Sequence, residues 1–546
     1  MKKILKKLAL YYFIFIVVKG ILSYLIPAPS AFSDSYIYMK LARSFFFDSN
    51  FVINNIPVTH YLPLYPIILS FSYLFNQMSI IYPVMKIINV IISSLVIFPA
   101  YFISKEFFNS NKSLKIAILI SLLPSNFIFS GYILAENIFY PLFLFSIYFI
   151  YKSITVKRII WPILAGISIG LTYLSKINGI VLFPVLTILF LFKLINEEKI
   201  FLRNILLIGF TALLIISPWL WNNYLIQGNI LGGYSEEAST IFSLNEFLLK
   251  YLVQFILYIG LLVISAGIFL PIKISKKIFS KLDFAILSLS SIFFTLIMAS
   301  NHNITATATS LPDLPAKYFP WLAGRLIGRY IDVVLPLVII LGLFCLEDKI
   351  NLKKKIAYSL LLIFSSQLLL TTLFPSNHVS TAYLGLFNHL LLLITSFPIN
   401  LIIIGIILGI IPFIFYKLNF KKTINLFIIF FILLNILNFT LIYYDSNIYW
   451  YKGDQMQLGL WLDSHDPEIS TILFDKRDCS DRILKLNQSS ICEPSGFTTI
   501  IGVWLNDEII VDYPTSLEGI DFIISRHNFD LPIVYSKDNL YIYSTN

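Results

Sequence analysis

Charge is scarce in this sequence. Asp, Glu, Lys and Arg make up 13% of its 546 residues, against 58% hydrophobic residues and a mean hydropathy of +0.81. A water-soluble chain of this length could not bury that much apolar surface, even as several domains. Cysteine is scarcer still: three residues exclude a disulfide-built framework and leave one bridge, Cys479 to Cys492, as an open question. Gly-rich phosphate loops, a Walker pattern and a nucleophile elbow are missing. So is a small-residue cleavage site after the first apolar run, which therefore reads as a retained anchor.

What the chain has instead is apolar runs of about 20 residues, each long enough to cross roughly 30 Å of hydrocarbon. We place them at 8–27, 80–104, 116–133, 136–151, 159–175, 178–195, 204–221, 251–271, 282–299, 330–346, 356–374, 399–416 and 423–443. The expected fold is an α-helical polytopic membrane protein of about thirteen spans. The formal net charge of +10 would suggest nucleic acid in a soluble protein, but the positions of the charges argue otherwise. Basic clusters at 2–7, 105–115, 152–158, 193–203, 273–281, 349–355 and 417–422 hold 24 of the 40 Lys and Arg residues, and each follows an even number of spans. By the positive-inside rule these loops and the N-terminus are cytoplasmic, and the C-terminal tail is extracytoplasmic. No nucleic-acid partner is expected.

Composition divides the chain into residues 1–445, the membrane part, and 446–546, which hold 15 of the 30 acidic residues. Strand-like runs at 471–474, 521–524, 532–535 and 540–543, with a helix-like stretch at 455–462, indicate a small α/β extracytoplasmic domain. The first outer loop, 27–79, contains two segments, near 34–43 and 62–75, that are too short or too broken by Pro63 and Pro66 to span and read as interfacial helices.

The informative residues are ionisable groups at the outer boundary, because charge beside hydrocarbon is costly and usually serves a function. They are Asp34, Glu136, Lys176, Arg325 and Arg329. Two carboxylates and three cations on one face suit a reaction that deprotonates a hydroxyl and stabilises a departing phosphate. Each also has a plainer reading. Asp34 could cap a helix and Glu136 could favour a helix start. Lys176 could snorkel, and the arginines could anchor to lipid phosphates. His60, His302, His378 and His389 show no metal-ligand spacing.

At these residues the sequence resembles the GT-C superfamily of membrane glycosyltransferases, in particular the branch of dolichyl-phosphate-mannose protein mannosyltransferases and bacterial aminoarabinose transferases. Ser33-Asp34-Ser35-Tyr36, with Ala42-Arg43, is similar to the first-loop catalytic aspartate and its juxtamembrane helix. His60-Tyr61-Leu62-Pro63-Leu64-Tyr65-Pro66 resembles a Pro-Pro-Leu-Tyr-Pro stretch of that loop. Ala135-Glu136-Asn137, the stretch from Leu164 through Lys176 to Gly179, and Gly328-Arg329-Tyr330 complete the likeness. It implies an inverting transfer of sugar from a polyprenyl-phosphate-linked donor to an acceptor hydroxyl on a lipid, glycan or protein. Asp34 would be the general base. Glu136 would orient acceptor or sugar, or help hold a divalent cation. Lys176, Arg325 and Arg329 would bind the donor phosphate, and Tyr36, Arg43, His60 and Tyr330 would position substrate. The departure is that metal-binding relatives often pair two acids where this chain has one. No metal ligand is therefore assigned. A lipid or solute transporter is the alternative; it expects ionisable residues near mid-membrane, where Lys19, Lys86 and Asp283 stray, and an internal repeat that the sequence lacks.

Overall fold

A computed structural model describes residues 2–27, 32–54, 56–196, 199–234, 244–266, 281–305, 327–345, 352–369, 409–410, 420–466, 470–478, 483–486, 489–492, 497–537 and 539–545. Helix α1 (Lys2–Tyr24) leads into a segment built from α2 (Phe32–Asp48), a hairpin of β1 (Val52–Ile53) and β2 (Ile56–Pro57), and α3 (Leu64–Ser70). Two short helices are expected in this segment, and α2 and α3 are present there.

The membrane part continues as α4 (Met78–Ser94), α5 (Ile97–Lys105), α6 (Ser110–Ser121), α7 (Pro124–Ile128), α8 (Glu136–Thr155), α9 (Ile160–Ser175), α10 (Leu182–Ile195) and α11 (Lys199–Gln227). After these come α12 (Leu244–Ala266), α13 (Leu282–Thr305), α14 (Leu335–Cys345), α15 (Leu352–Leu369) and α16 (Phe420–Asp445). Among the described residues seven helices are long and apolar enough to cross a membrane, or eight with the bent pair α6 and α7. The chain is thus a multi-pass membrane protein. Most of the expected span 399–416 lies outside the described residues, as do His378, His389 and the end of 356–374.

One expected span is not straight. The run 116–133 breaks between α6 and the short helical stretch ending at Gly131, with a bend of 66°. Pro124 explains the break, because it starts the second piece and forces Leu123 into an extended conformation (φ −53°, ψ 130°). Elsewhere small residues set the packing. On α9, a methyl at Gly166 would meet Thr211 at 2.6 Å and one at Gly170 would meet Ile215 at 2.7 Å, so this Gly-xxx-Gly pair lets α11 approach closely.

The C-terminal domain contains α17 (Asp454–His465), β3 (Thr471–Asp475), β4 (Ile483–Leu486), β5 (Ser489–Cys492), α18 (Phe497–Gly502), β6 (Glu508–Asp512), β7 (Phe522–Ser525), β8 (Ile533–Lys537) and β9 (Leu540–Ser544). Its main sheet has the order β6-β3-β7-β9-β8, parallel across the first three strands and antiparallel at β9. This domain sits on α2 and the start of α4. The Asp463 carboxylate accepts from the main-chain N–H groups of Met78 (2.7 Å) and Ser79 (3.2 Å), capping α4 from another domain. Lys40 donates to the Leu505 carbonyl at 2.6 Å, and Arg43 Nε to the Asn506 carbonyl at 2.8 Å.

Candidate active site

The site begins with three helix ends. Asp34 lies in the first turn of α2 and Glu136 opens α8, places where the helix dipole favours an acid. Lys176 ends α9 in an extended conformation (φ −160°, ψ 137°) before the chain turns into α10. The acidic segments are fixed by uncharged polar groups. Ser35 Oγ donates to the Ile133 carbonyl at 3.3 Å. The Asn137 amide donates to the Tyr132 and Leu134 carbonyls, both at 3.0 Å. Asn89 donates to the Tyr132 carbonyl at 3.0 Å and accepts from Tyr65 at 2.9 Å. The two acids therefore reach the site on a rigid platform.

Arg329 joins them. It lies in a single 3-10 turn, Gly328–Tyr330, ahead of α14, and its carbonyl accepts from the Tyr140 hydroxyl at 2.9 Å. One guanidinium nitrogen, Nη1, meets Asp34 Oδ2 at 2.8 Å, while Nε lies 3.5 Å from Glu136 Oε1. Lys176 Nζ also bonds Glu136 Oε1, and it sits 5.1 Å from the centre of the Tyr330 ring. Two acids thus face two cations. Glu136 is 2% exposed and Asp34 25%, so Asp34 is the carboxylate open to an incoming group.

Aromatic residues enclose this quartet. The Tyr61 hydroxyl donates to Asp34 Oδ1 at 3.0 Å, and Tyr38 packs edge-on against both Tyr61 and Tyr65. His60 stacks on Tyr234 with centroids 4.2 Å apart, and the Tyr330 hydroxyl meets His302 Nε2 at 2.9 Å. Burial alone would raise the Asp34 carboxyl. The Arg329 and Lys176 charges, with hydrogen bonds from Arg329 and Tyr61, instead hold it below the usual aspartate range. Burial, only partly offset by Glu136, pulls Lys176 below the ordinary lysine range. Burial and the Asp34 charge push the Tyr61 hydroxyl well up, so it remains a donor.

The structure brings Asp34, Glu136, Lys176, Arg329 and Tyr330 into contact and leaves His60 one ring away, beside Tyr61. Tyr36 and Arg43 lie elsewhere. Tyr36 is buried with its hydroxyl on Asn54 Oδ1 at 3.4 Å, and Arg43 faces the C-terminal domain. Arg325 lies outside the described residues. Sequence reasoning passed over Tyr61, Tyr140 and Tyr234. Tyr61 alone had a signal, its place next to His60 in the quoted motif. Among the described residues no three His, Cys, Asp or Glu side chains gather as metal ligands, and each carboxylate here already faces a cation. The donor set does not fit a divalent ion.

With this geometry in hand, comparison with known proteins is informative. The family profile for dolichyl-phosphate-mannose-protein mannosyltransferase matches residues 63–221. The crystal structure of ArnT from Cupriavidus metallidurans bound to undecaprenyl phosphate is 11% identical, aligned over 98% of this chain and 97% of that one, with a TM-score of 0.55. ArnT from the same organism in the apo state gives 12% identity, the same coverage and a TM-score of 0.53. A looser likeness, with a TM-score of 0.39 and 11% identity, covers 94% of this chain and 69% of the archaeal oligosaccharyltransferase AglB from Archaeoglobus fulgidus. No curated protein sequence matches. The chain shares the fold of these ArnT structures.

Proposed function

We propose that this protein moves a sugar from a polyprenyl-phosphate carrier to an acceptor hydroxyl on the extracytoplasmic side, with inversion at the anomeric carbon. The observation that carries the reading is the shared quartet: two carboxylates from separate segments, held by Arg329 and Lys176. The ArnT structure with bound undecaprenyl phosphate supports a lipid phosphate as the donor's anchor.

Each part of the quartet then has a task. Asp34, ionised and partly exposed, takes the proton of the acceptor hydroxyl. The hydroxyl oxygen attacks the anomeric carbon as the bond from that carbon to the phosphate oxygen breaks, and the electron pair leaves with the phosphate. Lys176 and Arg329 neutralise that phosphate. A guanidinium has five N–H groups, and only two face the carboxylates, so others remain for phosphate oxygens. Glu136, almost fully buried, holds both cations in place before the donor arrives. Such preorganised charge is the usual main source of rate in a step of this kind.

The transporter reading is less well supported. Lys19 donates to the Asn126 carbonyl (2.8 Å) and Ser93 (3.1 Å), and Lys86 to the carbonyls of Ser23 (2.8 Å) and Ile26 (2.7 Å). These lysines tie α1 to α4 and to α7. Mass spectrometry of lipids that co-purify with the full-length protein tests the proposal. A polyprenyl phosphate or its sugar conjugate is expected, and its absence, together with no sugar transfer from such a donor, would refute the reading.

A further inference from the structure

A cavity of about 480 Å³ lies where α2, the β1–β2 hairpin and the C-terminal domain meet. It is separate from the quartet. Arg43 follows Asp34 by nine residues, about two and a half turns at 3.6 residues per turn, so it projects from the opposite face of α2. The α2 helix thus stands between the reaction centre and this cavity, with roughly 10–20 Å along its axis from Asp34 to the residues that form the wall.

The wall mixes charges of both signs and amides with apolar surface from Phe47, Val52, Ile53 and Ile509. Lys40, Arg43, Phe47 and Asp48 come from α2, Asn54 from the hairpin and Asp507 from the C-terminal domain. Both cations already hold main-chain carbonyls but keep further N–H groups. Asn54 accepts from Tyr36, and among the described residues its amide nitrogen has no hydrogen-bond partner. The Arg43 guanidinium lies 5.1 Å from the centre of the Phe47 ring. A lipid tail would meet Lys40, Arg43, Asp48 and Asp507 among the apolar side chains here. A lone phosphate meets Asp48 and Asp507, and a metal ion meets Lys40 and Arg43. Sugar hydroxyls both donate and accept, so a lining that offers both along its length suits them. The volume falls within the usual range for small-molecule sites, roughly 300–1,000 Å³.

We propose that this cavity binds a mono- or disaccharide unit of a glycan acceptor, a distal unit held apart from the hydroxyl that reacts. The proposal rests on the transferase reading, and narrows its acceptor to a glycan. It also explains why the C-terminal domain is fastened to the catalytic helix: the cavity exists only while the two are docked.

The test uses full-length protein in lipid nanodiscs on an array of defined oligosaccharides, with empty nanodiscs as the control. Wild type should bind a subset of glycans. Asn50→Trp, which fills the cavity, and Asp48→Ala, at an exposed wall position, should each weaken binding by roughly tenfold or more, the scale of one or two lost hydrogen bonds. Asp34→Asn should bind glycans as wild type does. Binding no better than empty nanodiscs, binding that survives Asn50→Trp, or capture by inorganic phosphate in place of sugars would each overturn the proposal. Glycan binding lost in Asn50→Trp, combined with undiminished transfer by Asp34→Asn, would instead refute the assigned base and leave the cavity site standing.

Discussion

The two faces of α2 hold cations in opposite ways. Toward the membrane helices, Arg329 and Lys176 stand against the carboxylates of Asp34 and Glu136. Toward the C-terminal domain, Lys40 and Arg43 bond the uncharged carbonyls of Leu505 and Asn506, with the Asp48 and Asp507 carboxylates in the same wall. The difference separates chemistry from assembly. A charge quartet can change partners when an anion enters, since a phosphate replaces one carboxylate's interaction with another of the same sign. A main-chain carbonyl offers no such exchange, because its partner is fixed by the fold. Charge against charge is poised to react, and charge against carbonyl fastens one domain to another.

The comparison breaks most sharply at Asp34. Asp34→Asn should cut sugar transfer by roughly 10²–10⁴, the range for loss of a positioned general base, with insertion and folding unchanged. Transfer from a polyprenyl-phosphate donor, followed by mass spectrometry, measures it. Arg329→Ala removes the group shared by both carboxylates and leaves buried Glu136 with Lys176 alone. A loss of roughly 3–5 kcal/mol in stability is expected, read as an earlier melt in detergent, because breaking a buried pair strands a charge. An unchanged melt would mean that the quartet does not hold these segments together.

The other face should respond more mildly. Asp463→Ala removes the acceptor for the Met78 and Ser79 N–H groups and should cost about 0.5–2 kcal/mol, the usual range for a lost helix cap. Faster hydrogen exchange at the start of α4, with transfer nearly intact, is the expected pattern. A transfer loss as large as that of Asp34→Asn would mean that docking and chemistry are not separable.

Much of this arrangement is legible in the sequence, for one physical reason. Ionisable residues at the ends of long apolar runs have few places to go, so Asp34, Glu136, Lys176 and Arg329 identify themselves, and positive-inside counting gathers them on one side. The motif containing Asp34 misleads for Tyr36 and Arg43, because nearness in sequence on a helix says little about shared face. Counting turns from Asp34 would have separated them. The bend at Pro124 had a local signal, since the residue before proline avoids the helical region. Tyr61 is marked only by its place beside His60, and Tyr140 is one of 32 tyrosines whose hydroxyl nothing local singles out. The strand order β6-β3-β7-β9-β8 depends on pairings distant in sequence that no short run of residues encodes.

Tyr61 supplies the smallest test of the comparison, and the finest. As a base, Asp34 works only when ionised, and its carboxyl lies below the usual aspartate range because Arg329, Lys176 and Tyr61 outweigh its burial. Activity should therefore persist to acid pH, with the acid limb of the kcat/KM profile below that of an ordinary aspartate. Tyr61→Phe removes one hydrogen bond to the charged form while leaving the cations in place. The Asp34 carboxyl must rise, so the acid limb moves toward neutrality while the rate at neutral pH hardly changes. The alkaline limb behaves independently. Burial lowers Lys176, so activity that needs its charge falls off before an ordinary lysine would titrate, and Tyr61→Phe leaves that limb where it was. Movement of the acid limb alone ties Tyr61 to Asp34 as a positioning residue. Movement of both limbs together, or of neither, would show that the hydroxyl only packs against the acid, and that the quartet sets its charges without help from the aromatic wall.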